Sequence, residues 1–136
     1  MLVMDYVEAV GGTQPIDTAA TYARFLIRYG PAYSLFIDDA LAFVVGVVGA
    51  WPRVGEAWSV WTDVGRAHPL TCSRTARRML RMAAPDYDRI QTDTVAAFDA
   101  ANRWVLSLGF TLESKMPKAG PYGQDFLRYA LFPGGK

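Results

Sequence analysis

Between Arg89 and Phe110 the chain changes its period in a way few folds can accommodate. Arg89-Ile90-Gln91-Thr92-Asp93-Thr94-Val95 is rich in β-branched residues and reads as a strand. Asn102-Arg103-Trp104-Val105-Leu106-Ser107-Leu108 has helical periodicity and stops at Gly109, and Phe110 then opens another strand. A strand, a crossover helix and a return strand form the kernel of an α/β layer, so the rest of the chain must supply a sheet around it.

The flanking segments supply one. Met1–Val10 reads as a short strand, and Asp17 caps a helix over Thr18–Tyr29 that ends at Gly30-Pro31. Tyr33–Ile37 and Ala40–Ala50 flank Asp38-Asp39 as a hairpin. The second arm is apolar on both faces and belongs inside the sheet, where Gly46 and Gly49 predict a bulge or a close backbone approach. Pro52–Glu56 reads as a turn, Ala57–Asp63 as a strand and Val64–Pro69 as a loop. Leu70–Ala84 divides sharply as a helix: Cys72, Ala76, Met79, Leu80 and Ala83 fall on one side, Arg74, Arg77, Arg78 and Arg81 on the other. Pro85 ends that helix. Strand Asp88–Val95, helix Ala97–Leu108 and strands Phe110–Lys115 and Gln124–Phe132 follow, the last two joined through Pro117–Pro121. The helix between Ala57–Asp63 and Asp88–Val95 predicts a parallel pair in an otherwise antiparallel meander.

Composition narrows the class. At 136 residues and 51% hydrophobic content the chain carries one core and reads as a single domain. A net charge of +1 provides no global field toward nucleic acid, and the longest apolar run, Ala40 to Trp51, is too short to span a membrane. One cysteine, Cys72, excludes an internal disulfide and reads as a buried, inert thiol in a reducing compartment. The opening Met1–Asp5 lacks a basic start and a long apolar run, so a cytoplasmic protein is expected. Walker loops, Cys/His metal patterns and Gly-x-Ser-x-Gly elbows are absent.

The order of elements, the Asn102…Leu108-Gly109-Phe110 ending and the strand–loop–helix from Trp58 to Ala83 together resemble the GNAT-type acyl-CoA N-acyltransferases. The fold implied is α/β, a GNAT-like mixed, mostly antiparallel sheet of about six strands flanked by helices. More narrowly, the aromatic strand ending in Thr62-Asp63, the arginine-rich helix and the Tyr122-Gly123-Gln124-Asp125-Phe126 closing strand look like the small GNAT-like internal virion proteins of short-tailed bacteriophages. That resemblance implies a protein of the host cytoplasm or the virion, with phage or host proteins as partners.

The resemblance also implies a site. In the family, acetyl-CoA lies where the third meander strand splays from the next strand. Its pyrophosphate is cradled by an Arg/Gln-x-x-Gly-x-Gly/Ala loop, whose amides and helix dipole neutralise the phosphates. Here that loop reads Asp63-Val64-Gly65-Arg66-Ala67-His68-Pro69-Leu70-Thr71, with one glycine and with a proline that has no N–H. Thr62, Val64, Gly65, Arg66, Arg74 and Asn102 are the implied cofactor-binding positions, Arg66 the best placed because it sits in the loop itself. Arg77 and Arg78 could assist, although such a stripe also reads as a solvated helix face. Asp63 and His68 are the candidate acid–base groups. Glu56 reads as part of an exposed turn, and Tyr122, Trp104 and Tyr129 as core or groove lining. The family's proton-donating tyrosine, four residues before the glycine, is Val105 here, a side chain without proton chemistry. Two functions from different classes remain: a GNAT-fold protein with a degenerate acyl-CoA site that binds other proteins, or an acetyl-CoA-dependent N-acyltransferase.

Overall fold

A computed structural model describes residues 30–134. The expected strand Met1–Val10 and helix Thr18–Tyr29 lie outside the described residues. The described part is a six-stranded sheet with helices packed on it, the mixed α/β layer expected from the sequence. The strands are β1 (Ala32–Ile37), β2 (Ala40–Trp51), β3 (Val54–Trp61), β4 (Arg89–Val95), β5 (Thr111–Met116) and β6 (Phe126–Leu131). They stand in the order β1-β2-β3-β4-β6-β5. Every neighbouring pair is antiparallel except β3 and β4.

The hairpin tip forms because Asp38 and Asp39 both accept positive φ (49° and 64°), the twist a two-residue connection between right-twisted strands requires. β2 is buried from Ala42 to Val47, as its unbroken apolar run predicts. Gly46 lies beneath Trp58, where an added Cβ would come within 2.8 Å of the indole. The β2–β3 register shifts between Gly49 and Trp51.

Two expected boundaries need correction. Pro52–Glu56 is not all turn: the connection is only Pro52 and Arg53, while Gly55 and Glu56 pair with Gly49 and Val48 in the ladder. Arg53 takes φ 69° and stabilises the tight turn by donating to Asp88 (2.8 Å) and to the Pro85 carbonyl (2.9 Å). Likewise Val64–Pro69 is not an open loop. Asp63–Arg66 forms one helical turn, α1, and Pro69–Ala83 forms α2 with Pro69 in its first turn, where its missing N–H breaks no helical bond. Thr62, expected within the strand, is the N-cap of α1. Its hydroxyl accepts from the Gly65 amide and donates to the Leu41 carbonyl at 2.7 Å, pinning the turn to β2.

After α2 a 3-10 turn, Ala84–Asp86, leads into β4, and α3 (Asp99–Ser107) bridges β4 to β5. The main core lies between the sheet and the helices. Cys72, Ala76, Met79, Leu80 and Ala83 of α2 meet Phe43, Val45 and Val47 of β2, with Val105, Leu108, Phe110 and Tyr129 completing it. Trp58 and Val44 form a smaller buried cluster.

A candidate site at the splay of β3 and β4

β3 and β4 are paired only at Val54–Arg89, Gly55–Ile90 and Glu56–Gln91. Beyond them the strands diverge, and Thr92 marks the fork by donating its hydroxyl to the Ala57 carbonyl (3.1 Å). The open end of this fork leads to a cavity of about 480 Å³ between the start of α2 and the start of α3. Trp61, Pro69, Phe98 and Trp104 form its walls, with Ala97, Ala100, Ala101, Arg66 and Asp99 completing the lining.

The aromatic wall is held edge to face. Trp61 and Trp104 have ring centroids 4.9 Å apart at 81°, and Phe43 backs Trp61 at 4.6 Å. Both indole N–H groups are satisfied, Trp61 by Ser59 (3.1 Å) and Trp104 by Ser73 (2.8 Å). Ser73 is buried and donates in turn to the Pro69 carbonyl at 2.8 Å. This serine was not singled out in the sequence; its position on the Cys72–Ala76 side of the helix was the available signal.

The backbone donors of the turn beside this cavity are engaged in the turn itself. Gly65 N–H goes to the Thr62 side chain, Arg66 N–H to the Thr62 carbonyl, Ala67 N–H to the Asp63 carbonyl and His68 N–H to the Gly65 carbonyl. Cys72 N–H already points back to His68 O within α2. Pro69 has none, which leaves the first-turn amides of Leu70 and Thr71 at the open end of α2.

The structure gathers six of the expected site residues around this turn: Thr62, Asp63, Val64, Gly65, Arg66 and His68. Only Arg66 lines the cavity. Its guanidinium meets Asp63 at 3.1 Å, and the Asp63 side chain is fully exposed. Val64 packs against the core and Gly65 is buried against β2, so both serve the fold at this position. His68 is the exposed N-cap of α2, its Nδ1 lying 2.9 Å from the Val64 carbonyl. Arg74 stands apart on the exposed face of α2, outside the cavity lining.

Asn102 is also apart, turned inward. Its Nδ2 donates to the carbonyls of Phe98 (2.9 Å) and Ala96 (3.2 Å), and its Oδ1 accepts from Thr94 Oγ1 and from Tyr129 Oη (2.9 Å). Val105 is fully buried in the core, Tyr129 nearly so, while Tyr122 is exposed.

Glu56 is the residue whose environment differs most from its sequence reading. It is not in an exposed turn but at the last position where β3 pairs with β4, half-buried at the apex of the fork. Burial pushes its carboxyl above the ordinary value of 4.5, and the neighbouring Asp93 adds to the effect. Asp93 itself is held by two bonds from Arg128, at 2.8 and 2.9 Å. The alternation Val54, Glu56, Trp58, Val60 was the signal for a longer strand; it puts Glu56 on the sheet face opposite Trp61. Among the described residues no cluster of His, Cys, Asp or Glu is arranged to hold a metal ion, and no helix is long and apolar enough to cross a membrane.

No protein-family profile matches this chain, and no curated protein matches it. Solved structures do. A GNAT-family acetyltransferase from Bacillus anthracis superposes with a TM-score of 0.74 at 16% identity, over 97% of this chain and 82% of its own. An N-acetyltransferase from Staphylococcus aureus Mu50 gives 0.73 at 17% identity, over 96% and 90%. RimL, a ribosomal L7/L12 alpha-N-protein acetyltransferase in complex with coenzyme A, gives 0.71 at 17% identity, over 88% and 73%. The fold is therefore that of the GNAT acetyltransferases, and the cavity lies at the splay from which that resemblance leads one to expect the acyl donor.

Proposed function

We propose that this chain is a GNAT-fold phage or prophage protein whose acyl-CoA site is degenerate, and that it acts by binding other proteins during virion assembly. The observation that carries this reading is the accounting of amides beside the cavity. A pyrophosphate needs several backbone N–H groups aimed at it from a helix start. Here those from Gly65 to His68 are committed within the turn and Pro69 has none, so only Leu70 and Thr71 are left at the helix start, and the guanidinium of Arg66 already faces Asp63. These residues do not fit a pyrophosphate cradle of the family's kind. Val105, buried in the core at the family's acid position, adds support. The phage assignment rests on the sequence likeness of the Trp58–Asp63 strand, the arginine-rich helix and the closing strand.

Thermal shift with acetyl-CoA and desulfo-CoA tests the reading. A ligand at about 100 times its Kd stabilises the native state by about 2.7 kcal/mol. The degenerate site predicts no shift at millimolar ligand; a saturable shift weakened more by Arg66→Ala than by Arg81→Ala would sink it.

One observation favours a second reading, an active N-acyltransferase: Glu56, with its raised carboxyl at the apex of the fork, has the basicity to take a proton from an acceptor amine. Under that reading acetyl-CoA both binds and turns over, and Glu56→Gln abolishes turnover while leaving the thermal shift in place.

A further inference from the structure

Among the described residues, Lys118 of the β5–β6 connection apart, the cationic side chains fall into two populations. Arg53, Arg66, Arg89, Lys115 and Arg128 each meet a carboxylate, at 2.6 to 3.4 Å. Those on the outer faces of α2 and α3 do not. Arg74, Arg78, Arg81 and Arg103 are exposed and form no ion pair among the described residues, while Arg77 donates to the Ser107 carbonyl at 3.1 Å. α2 contains no acidic residue, and Asp99 is the one acidic side chain on the two helices.

The fold does not ask for this arrangement. Arg74 with Arg78 and Arg77 with Arg81 are like charges at i,i+4, a spacing at which repulsion opposes the helix and a glutamate would favour it. Four guanidinium groups lie within about 10 Å along one helix, a like-charge row that a bound anion would relieve. Their row is not purely polar. Leu70, 74% exposed, lies at its N-terminal end, and Met82, 53% exposed, flanks its C-terminal end.

We propose that the outer face of α2, extended by Arg103 of α3, docks an acidic amphipathic segment of a partner protein. The partner's carboxylates meet Arg74, Arg78 and Arg81, and its apolar side chains cover Leu70 and Met82. The proposal rests on the protein-binding reading above and gives that partner its chemistry. A protein segment fits better than nucleic acid for two reasons. Exposed Leu and Met beside Arg are what protein interfaces bury, whereas phosphates use only the charge. The aromatic rings near α2 and α3 that could stack on bases, Trp61 and Trp104, pack edge to face in the cavity wall and away from the arginine row.

The test uses a fluorescent helical peptide of about 18 residues, with glutamates recurring at helical spacing beside leucines. A peptide of the same composition in scrambled order and a single-stranded DNA of about 20 nucleotides serve as comparators. The patterned peptide should bind most tightly, and Arg74→Ala/Arg78→Ala/Arg81→Ala should weaken it at least about tenfold. Leu70→Ser/Met82→Ser should weaken it about threefold or more, and Arg53→Ala, a paired arginine on another surface, should leave it unchanged. Equal binding of the scrambled peptide, equal binding by the triple variant, or tighter binding of the DNA would each overturn the proposal. Arg74, Arg78, Arg81 and Leu70 are exposed, and a thermal melt of every variant, Arg53→Ala and Met82→Ser included, checks that the fold is kept. A thermal shift with acetyl-CoA would sink the degenerate-site reading without touching this surface, because Arg74, Arg78 and Arg81 lie outside the cavity.

Discussion

Asn102 sits where a cofactor ligand was expected, and replacing it with alanine separates that role from the one its contacts describe. Its amide joins three elements: the end of β4 through the Ala96 carbonyl and Thr94, the first turn of α3 through Phe98, and β6 through Tyr129. Thr94 is fully buried and Tyr129 is 2% exposed, so Asn102→Ala leaves two buried hydroxyls without their acceptor. An unsatisfied buried group costs roughly 1–3 kcal/mol. Asn102 is itself half-buried, and water can reach part of the space it vacates, so the sum settles near 3 kcal/mol. For a chain of this size that lowers Tm by about 10 °C. Urea and thermal melts followed by circular dichroism read it directly. Tyr129→Phe alone should cost about 1 kcal/mol, and less in the Asn102→Ala background, where Thr94 is the neighbour its hydroxyl keeps. A variant within about 1 kcal/mol of the native protein, with additive effects in the cycle, would refute the reasoning and return Asn102 to the list of ligand groups.

Gly65→Ala should destabilise by about 2–4 kcal/mol, because an added Cβ would come within 2.1 Å of the Ala42 carbonyl oxygen and force α1 off β2. Gly49→Ala, whose Cβ would meet only the Tyr87 hydroxyl at 4.0 Å, is the matched control and should stay close to wild type in the same urea titration. Glu56 gives a pH dependence of definite sign. Its folded carboxyl lies above the ordinary 4.5, so the native state holds the proton more tightly than the unfolded chain does. Stability therefore declines as pH rises from 4.5 through the raised folded value, and Glu56→Gln should remove that decline. Urea melts at either end of the window check this; a variant with the same pH slope as wild type would put the burden on another group.

The elements that could be read from the sequence are those whose signal is local and repeated. Cys72, Ala76, Met79, Leu80 and Ala83 recur at helical spacing and are all buried. The Asp38-Asp39 tip, the unbroken apolar run of β2 and the Gly109 stop each carry their own cue, and the parallel β3–β4 pair followed from the intervening helix. Misreadings occurred where one side chain's long-range bond decided the backbone. Thr62 resembles a strand residue until its hydroxyl reaches Leu41, 21 positions earlier, and Pro52–Glu56 resembles a long turn until Arg53 is fastened to Asp88.

The site was harder to read for the same physical reason. Residue types near the fork were visible in the sequence, but binding capacity is what remains after internal partners are satisfied, and that remainder is a tertiary quantity. Gly65 has the residue type of a phosphate loop, yet its amide is engaged by Thr62 and its missing side chain makes room for β2. Asn102 is a helix-start amide, yet five internal partners hold its two polar atoms. Glu56 showed the converse: an unremarkable glutamate became a half-buried carboxyl with a raised pKa because the strand began three residues earlier than its turn signal implied. The arginines of α2 were legible as a stripe, but only the ion pairs of Arg53, Arg66, Arg89, Lys115 and Arg128 made the lack of one on α2 informative. Internal bonds withdraw donors from the cavity beside α1, while nothing in the described fold withdraws the charge on α2. The α2 face is therefore where the peptide-binding experiment looks for a partner, and the cavity is where the acetyl-CoA thermal shift looks for a nucleotide.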